Sequence, residues 1–203
     1  MDAAGEVFAE QGFQSATVRD ICARAGANVA AVNYHFHDKM ELYLAVLRRS
    51  VSAAQADDIP ASALRTEDPA KLLRLFIAGM LRRMCRAEQP GACHLRIMAH
   101  EIAHPTEALP RVVEEIIAPR YAALRGLLAR IVGLPPDHDT TRLCAHSVIA
   151  QVVHYAQARP VIACLWPALE MTPARIDEIA AHIADFSLDA IRAIAKKNRK
   201  VSQ

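Results

Sequence analysis

Between Thr17 and Tyr43 the chain reads TVRDICARAGANVAAVNYHFHDKMELY, and its capping residues leave space only for two short helices, a tight turn and the start of a third helix. Thr17 is a strong N-cap for a first helix whose Ile21, Cys22 and Ala25 make an inward stripe. Gly26 stands where that helix has to stop in a left-handed conformation, which a residue without Cβ adopts at no steric cost. Asn28 can cap the second helix, with Val29 and Val32 expected inward and Ala30, Ala31, Asn33 and Tyr34 on the outer side. Small outward residues let a helix approach base edges, and an asparagine both donates to and accepts from one base. The layout is that of a helix-turn-helix, in which the second helix reads DNA.

Past Tyr43 the pattern is helix after helix, without the sustained alternation that marks strands. Met40 to about residue 55 continues a fourth helix, ended by Asp57-Asp58-Ile59-Pro60. Asp68-Pro69 supplies an N-cap and a proline at the first helical position, opening a helix to about Arg86. Gln89-Pro90-Gly91 breaks the chain, and His94–Ala103 is a shorter helix stopped by Pro105. Thr106–Val132 is helical in pattern, with Pro119 able to kink it. Pro135-Pro136 precedes a helix over Asp139–Ala158, and Thr172-Pro173 opens the last, to about Lys196. The expected fold is all-α.

Composition bears on compartment and partners. Of 203 residues, 53% are hydrophobic and 23% charged, ample for a buried core, yet no apolar run reaches the roughly 20 residues that span a bilayer. No charged-then-apolar leader is apparent, so cytoplasm is the default and no membrane partner is expected. Cys22, Cys85, Cys93, Cys144 and Cys164 are scattered and form no CxxC pair, so they read as buried thiols of a reducing compartment. Net charge is only +2. Over residues 1–50, five arginines and lysines face six carboxylates. DNA contact must then lean on placed groups and helix N-termini rather than a basic field.

The run from Ala3 to Leu47 resembles the DNA-binding domain of the TetR family of bacterial repressors, through FAEQGF at Phe8–Phe13, ATVRDICARAGA, NYHF at Asn33–Phe36, and Lys39-x-Glu41-Leu42-Tyr43. The resemblance implies an N-terminal three-helix DNA-binding domain over 1–47 and a helical effector-binding and dimerisation domain over 48–203. It places Arg19, Ala30, Ala31 and Asn33 on bases, with Asn28 at the start of the reading helix, and Thr17, Tyr34, His35 and Lys39 on phosphates. In that family a further segment, commonly basic, precedes this point of the first helix, so the resemblance implies either that such a segment stands before Met1 or that this protein lacks that arm. The implied partners are a double-stranded DNA operator, a small-molecule effector and a second copy of the chain.

Farther along, His94-Leu95-Arg96, Glu101, Pro105-Thr106-Glu107-Ala108-Leu109 and Ile117-Ala118-Pro119-Arg120-Tyr121 are similar to the CecR-like branch of that family. This implies a small-molecule sensor in which Arg96 and Glu101 are structural or ligand-facing, and a buried pair of such charges would need each other or a ligand. Phe76, Met80, Met84, Met98, Tyr121, His154, Tyr155 and Trp166 are further candidates for an adaptable, mainly apolar pocket. On the last two long helices Cys144, Val148, Gln151, Val152 and Tyr155 form one stripe, and Ile176, Ile179, Ala180, Ile183, Phe186, Ile191 and Ile194 the other. Periodicity fits an intrachain core as well as an interface. The resemblance favours an interface, with Val148, Gln151, Val152, Ile179, Ile183 and Phe186 in a two-fold four-helix bundle, and a dimer places two reading helices about a helical turn of DNA apart, or a small multiple of that.

A competing chemistry is spelled by His100-Glu101-Ile102-Ala103-His104, the H-E-x-x-H of zinc hydrolases, where two histidines one turn apart bind zinc and the glutamate acts as base. Pro105 pushes His104 toward extended geometry and spoils that face. No strand-rich lobe is apparent to shape a cleft, and a third ligand would have to come from Glu114, Glu115 or His154. No phosphate-cradling glycine loop or G-x-S-x-G nucleophile is present. The chain reads as a regulator rather than an enzyme, with no metal and no cofactor expected.

Overall fold

In the computed structural model, which describes residues 1–52, 66–85 and 93–201, every regular element is helical. The order is α1 (Asp2–Ser15), α2 (Val18–Ala25), α3 (Val29–Phe36), α4 (Lys39–Ser52), α5 (Pro69–Cys85), α6 (Cys93–Ala103) and α7 (Leu109–Val112). A π turn (Val113–Ile117) leads into α8 (Ala118–Val132), followed by α9 (Asp139–Gln157), α10 (Arg159–Leu165) and α11 (Pro173–Val201). The breaks expected at Gln89-Pro90-Gly91 and Asp57–Pro60 lie outside the described residues. At α5, Asp68 caps as its sequence predicts, accepting from Ala70 N (3.3 Å) and Lys71 N (3.1 Å).

The described residues form two compact units, one within Met1–Ala56 and Ala87–Pro119, the other within Asp57–Arg86 and Arg120–Gln203. A single cut after residue 47 does not reproduce this division. Ile97 of α6 and Ala108, Val112 and Ile116 are buried in the same core as Phe8, Phe13, Leu42, Tyr43 and Leu47. An apolar stripe tells which face of a helix is buried and not which partner buries it.

Within the first unit α1 is interrupted at Gly12, where φ is 73° and ψ 172°. Only glycine takes up this backbone region readily. A Cβ there would also touch the ring of His100 at 3.4 Å. The interruption bends the chain so that Phe8 and Phe13 both reach Tyr43, with ring centroids at 4.8 Å and 4.9 Å.

In the second unit Leu72, Leu73, Ile77 and Leu81 of α5 pack with Leu124, Leu127 and Leu128 of α8, Val148 and Val152 of α9, and Ile176, Ile179, Ile183, Leu188 and Ile191 of α11. Arg74 with Asp185 and Arg82 with Asp177 run in opposite order, which sets α5 and α11 antiparallel. The stripes assigned to a subunit interface are largely this core: Val148, Val152, Ile179 and Ile183 are buried within their own chain and are not available to a second copy. Gln151 is also internal, donating to Ser187 Oγ at 3.1 Å and joining α9 to α11. Of that set only Phe186 faces outward, 62% exposed.

Two further departures have local causes. The kink expected at Pro119 appears as a π turn just before it: proline has no N–H to give the Glu115 carbonyl and its ring presses on that carbonyl, so the helix widens there. Helix α10 was not expected; it starts at Arg159-Pro160, with proline in the first turn. Cys22, Cys85 and Cys144 are buried as expected and Cys93 partly so, but Cys164 on α10 is exposed. Among the described residues no single helix is long and apolar enough to cross a membrane. Replacing Gly12 by alanine should cost about 1–3 kcal/mol. In urea it should lower the unfolding midpoint at unchanged slope; an unmoved midpoint would mean that the backbone at residue 12 is unstrained.

Candidate nucleic-acid interface

The α2–α3 pair is built by its caps. Thr17 Oγ1 accepts from Asp20 N at 3.1 Å and donates to Asp20 Oδ2 at 2.7 Å, closing the start of α2. Gly26, at φ 61° and ψ 31°, ends α2 in the left-handed conformation, and Ala27 N returns to Cys22 O at 3.0 Å. Asn28 Oδ1 accepts from Ala30 N at 2.9 Å and starts α3. Sequence and structure agree at all three points.

The outer face of α3 carries Ala30, Ala31, Asn33, Tyr34 and His35, all exposed, with Tyr34 at 80%. Val32 and Phe36 turn inward against the first unit's core. Val29, expected beside Val32, is instead exposed, so the inward pair is i, i+4 and begins one turn later. Arg19 is exposed on the first turn of α2. This surface offers a small-residue helix flanked by amide, phenol, imidazole and guanidinium groups, a set suited to base edges and phosphates.

Two expected phosphate contacts are otherwise engaged. Lys39 Nζ donates to the carbonyls of Phe13 (2.9 Å), Ala16 (3.2 Å) and Gln14 (3.4 Å), and lies 4.5 Å from the Phe13 ring centroid. Its three protons close the C-terminal end of α1, where unpaired carbonyls and the helix dipole attract a cation. The Thr17 hydroxyl proton is likewise given to Asp20. Between α3 and α4, His37 has φ 63° and ψ −54°, and Asp38 N bonds back to Phe36 O at 2.7 Å, which is a γ-turn. Asp38 then caps α4 through Glu41 N at 2.8 Å.

Behind this surface stands Glu101, 1% exposed. It accepts from Tyr43 Oη at 2.9 Å, Thr106 Oγ1 at 2.8 Å and Thr106 N at 3.2 Å. Burial first, and the bond to Glu101 second, push the Tyr43 phenol well above its ordinary value. The expected pairing of Glu101 with Arg96 does not occur: Arg96 is on the exposed side of α6, and both belong to the first unit with Met98 rather than to an effector pocket in the second. The hydrolase alternative loses its base to the same contacts, since both oxygens of Glu101 serve Tyr43 and Thr106. His104 follows the end of α6 and is exposed, whereas the His100 ring lies against Gly12. No group of three His, Cys, Asp or Glu among the described residues is placed to hold a metal ion.

The remaining effector candidates lie in the second unit. Phe76, Met80 and Met84, at four-residue spacing on α5, are half-buried against its core with Tyr121 and Tyr155. His154 is exposed and meets Tyr155 edge-on at 6.0 Å. Trp166, at the end of α10, is exposed too. Sequence reasoning missed Arg159, which donates to the Cys85 carbonyl at the end of α5. Its signal was the break at Ala158 followed by Arg-Pro.

Comparison with known proteins supplies the context. The family described as bacterial regulatory proteins, tetR family, matches residues 1–46, and the C-terminal domain of the HTH-type transcriptional dual regulator CecR matches residues 69–191. CecR of Shigella flexneri is 29% identical over 167 residues, covering 76% of this chain and 73% of that protein. A putative transcriptional regulator from Pseudomonas aeruginosa aligns over 95% of this chain and 90% of its own, at 25% identity and a TM-score of 0.62. FadR of Bacillus subtilis, solved with stearoyl-CoA, aligns over 92% and 95% at 14% identity and a TM-score of 0.65.

The buried carboxylate gives a direct test. Replacing Glu101 by alanine strands a phenol and a hydroxyl and should cost about 2–4 kcal/mol, whereas Glu101→Gln, which keeps an acceptor, should cost about half as much. Equal stability of the alanine variant and the parent in urea unfolding would show that the Tyr43–Glu101–Thr106 contacts hold nothing.

Proposed function

This protein belongs to the TetR family of bacterial regulatory proteins, in its CecR-like branch, and from that premise we propose that it is a cytoplasmic, ligand-responsive repressor that binds a palindromic operator as a homodimer. The observation that carries the reading is α3: a helix with Ala30, Ala31 and Asn33 outward, capped at Asn28 and followed by a γ-turn. Arg19, Ala30, Ala31 and Asn33 address base edges, and Tyr34 and His35 address phosphates. Lys39 and Thr17 act by holding the frame.

The effector is a small molecule with a substantial apolar part, received in the second unit beside Phe76, Met80, Met84, Tyr121 and Tyr155. Methionines at four-residue spacing adapt to varied apolar shapes. FadR of Bacillus subtilis, similar in fold, was solved in complex with stearoyl-CoA. Effector entry repacks these half-buried side chains and alters the separation of the two reading helices in the dimer, which releases DNA. The subunit contact uses the outward edges of α9 and α11, where Leu143 and Phe186 are exposed.

In vitro selection from random duplexes with the full chain should recover a two-fold symmetric site. Asn33→Ala should cost about 1–3 kcal/mol at one position of each half-site and relax its preference. Unchanged affinity and preference would remove Asn33 from the reading face. For assembly, Phe186→Asp should yield folded monomers by sedimentation, while Ile183→Asp, in the chain's own core, should unfold the subunit. A Phe186→Asp protein that sediments as a dimer would place the contact elsewhere.

A further inference from the structure

Val29 is exposed at the first position of α3, although the apolar period would turn it inward beside Val32. A single exposed valine is ordinary by itself, so its surroundings decide what it can do. From Ala25 to Phe36 the chain carries no lysine, arginine, aspartate or glutamate. Ala27, Ala30 and Ala31 are exposed around Val29, so the start of α3 shows mainly methyl groups outward.

Polar groups at this end are largely engaged within the turn itself. Asn28 Oδ1 accepts from Ala30 N at 2.9 Å, and the Asn28 carbonyl accepts from Ala31 N at 3.1 Å and Val32 N at 3.3 Å. Val29 is the largest apolar side chain the turn presents. Asn33 stands one turn further along the same edge, four residues on, and is exposed as well.

Among base edges in the major groove the apolar group is the C5-methyl of thymine. Four residues of helix advance about 6 Å, against about 3.4 Å between successive bases of one strand. A valine at 29 and an amide at 33 therefore reach positions one or two base pairs apart.

Resting on the helix-turn-helix reading, we propose that Val29 is a specificity-determining residue that selects thymine through its C5-methyl, one or two base pairs from the pair read by Asn33. Ala30 and Ala31 let the helix come close enough for the valine methyls to meet that group and remove it from water. The contact uses no hydrogen bond, so it separates thymine from uracil, which differ only in this methyl.

The test uses the full chain and a duplex recovered by selection, with each thymine replaced in turn by deoxyuridine. That change keeps every hydrogen-bonding group of the base and removes the methyl. Binding should weaken about fourfold at one thymine of a half-site, and about fifteenfold when both half-sites are changed, the loss expected for one buried methyl in each. Val29→Ala should weaken the unmodified duplex by about the same fifteenfold. It should then bind thymine and deoxyuridine duplexes equally, with the helix content and urea midpoint of the parent, whereas Val29→Ile should keep the preference for thymine. A preferred duplex without thymine in its half-sites, no loss at any deoxyuridine, or a Val29→Ala protein as sensitive to the missing methyl as the parent would overturn the inference and leave the operator reading intact. Failure to recover any preferred duplex would overturn both.

Discussion

One carboxylate decides how the first unit is assembled. Glu101 lies out of water with no cation in contact among the described residues, a situation that is costly unless the oxygens are well served. Three donors serve them, one from α4 and two from the turn after α6. The phenol that reaches Glu101 is attached to the ring on which Phe8 and Phe13 converge. Tyr43 thus joins α1 through its apolar edge and faces and joins α6 through its hydroxyl. If that side chain is moved, the aromatic cluster and the buried carboxylate lose their partner together, which is why α6 belongs with the N-terminal helices and not with the second unit.

Around this centre the surface charges set position more than stability. Glu41 and Glu115 are each shared by Arg48 and Arg111, linking α4 to α7 and the π turn that follows. Such exposed groups contribute little individually, and a network gains mainly geometric definition. The bonds to Arg48 and Arg111 hold the Glu115 carboxyl below its ordinary range, as the bond to Arg24 does for Glu10. What this arrangement costs is a basic surface. Guanidinium groups used to fix helices to one another have their charge matched by the carboxylates beside them.

Much of this was legible in the chain. Caps are local: Thr17, Gly26, Asn28 and Asp68 each act within five residues, so the elements they define could be read one by one. Burial direction was legible only modulo partner. The stripe through Val148, Val152, Ile179 and Ile183 was visible as apolar, but a core and a subunit interface impose the same period, and only packing distinguishes them. The Glu101 contacts span 58 residues to Tyr43, and no local pattern encodes that pairing. H-E-x-x-H shows the hazard from the other side, since its glutamate sits at the right spacing for one chemistry and is consumed by another. Lys39 behaves similarly: its place in the motif suggested phosphate, whereas three carbonyls at the end of α1 claim it.

That reassignment bears on how α3 is aimed. The helix has no fully buried residue of its own, so its inward hold is only Val32 and Phe36, both partly covered. A helix anchored so lightly would swing unless its ends were fixed. Asn28 fixes the first end. At the second, the His37 γ-turn reverses the chain in the fewest residues available, at the strain of a positive φ in a residue with Cβ. Strain of that kind persists only where the surroundings over-determine it. Asp38 holds the far side of the turn by capping α4, and one residue on, Lys39 ties that helix to the carbonyls of α1. The lysine therefore serves α3 indirectly: it secures the frame against which a strained, short joint points Asn33 and Tyr34 outward.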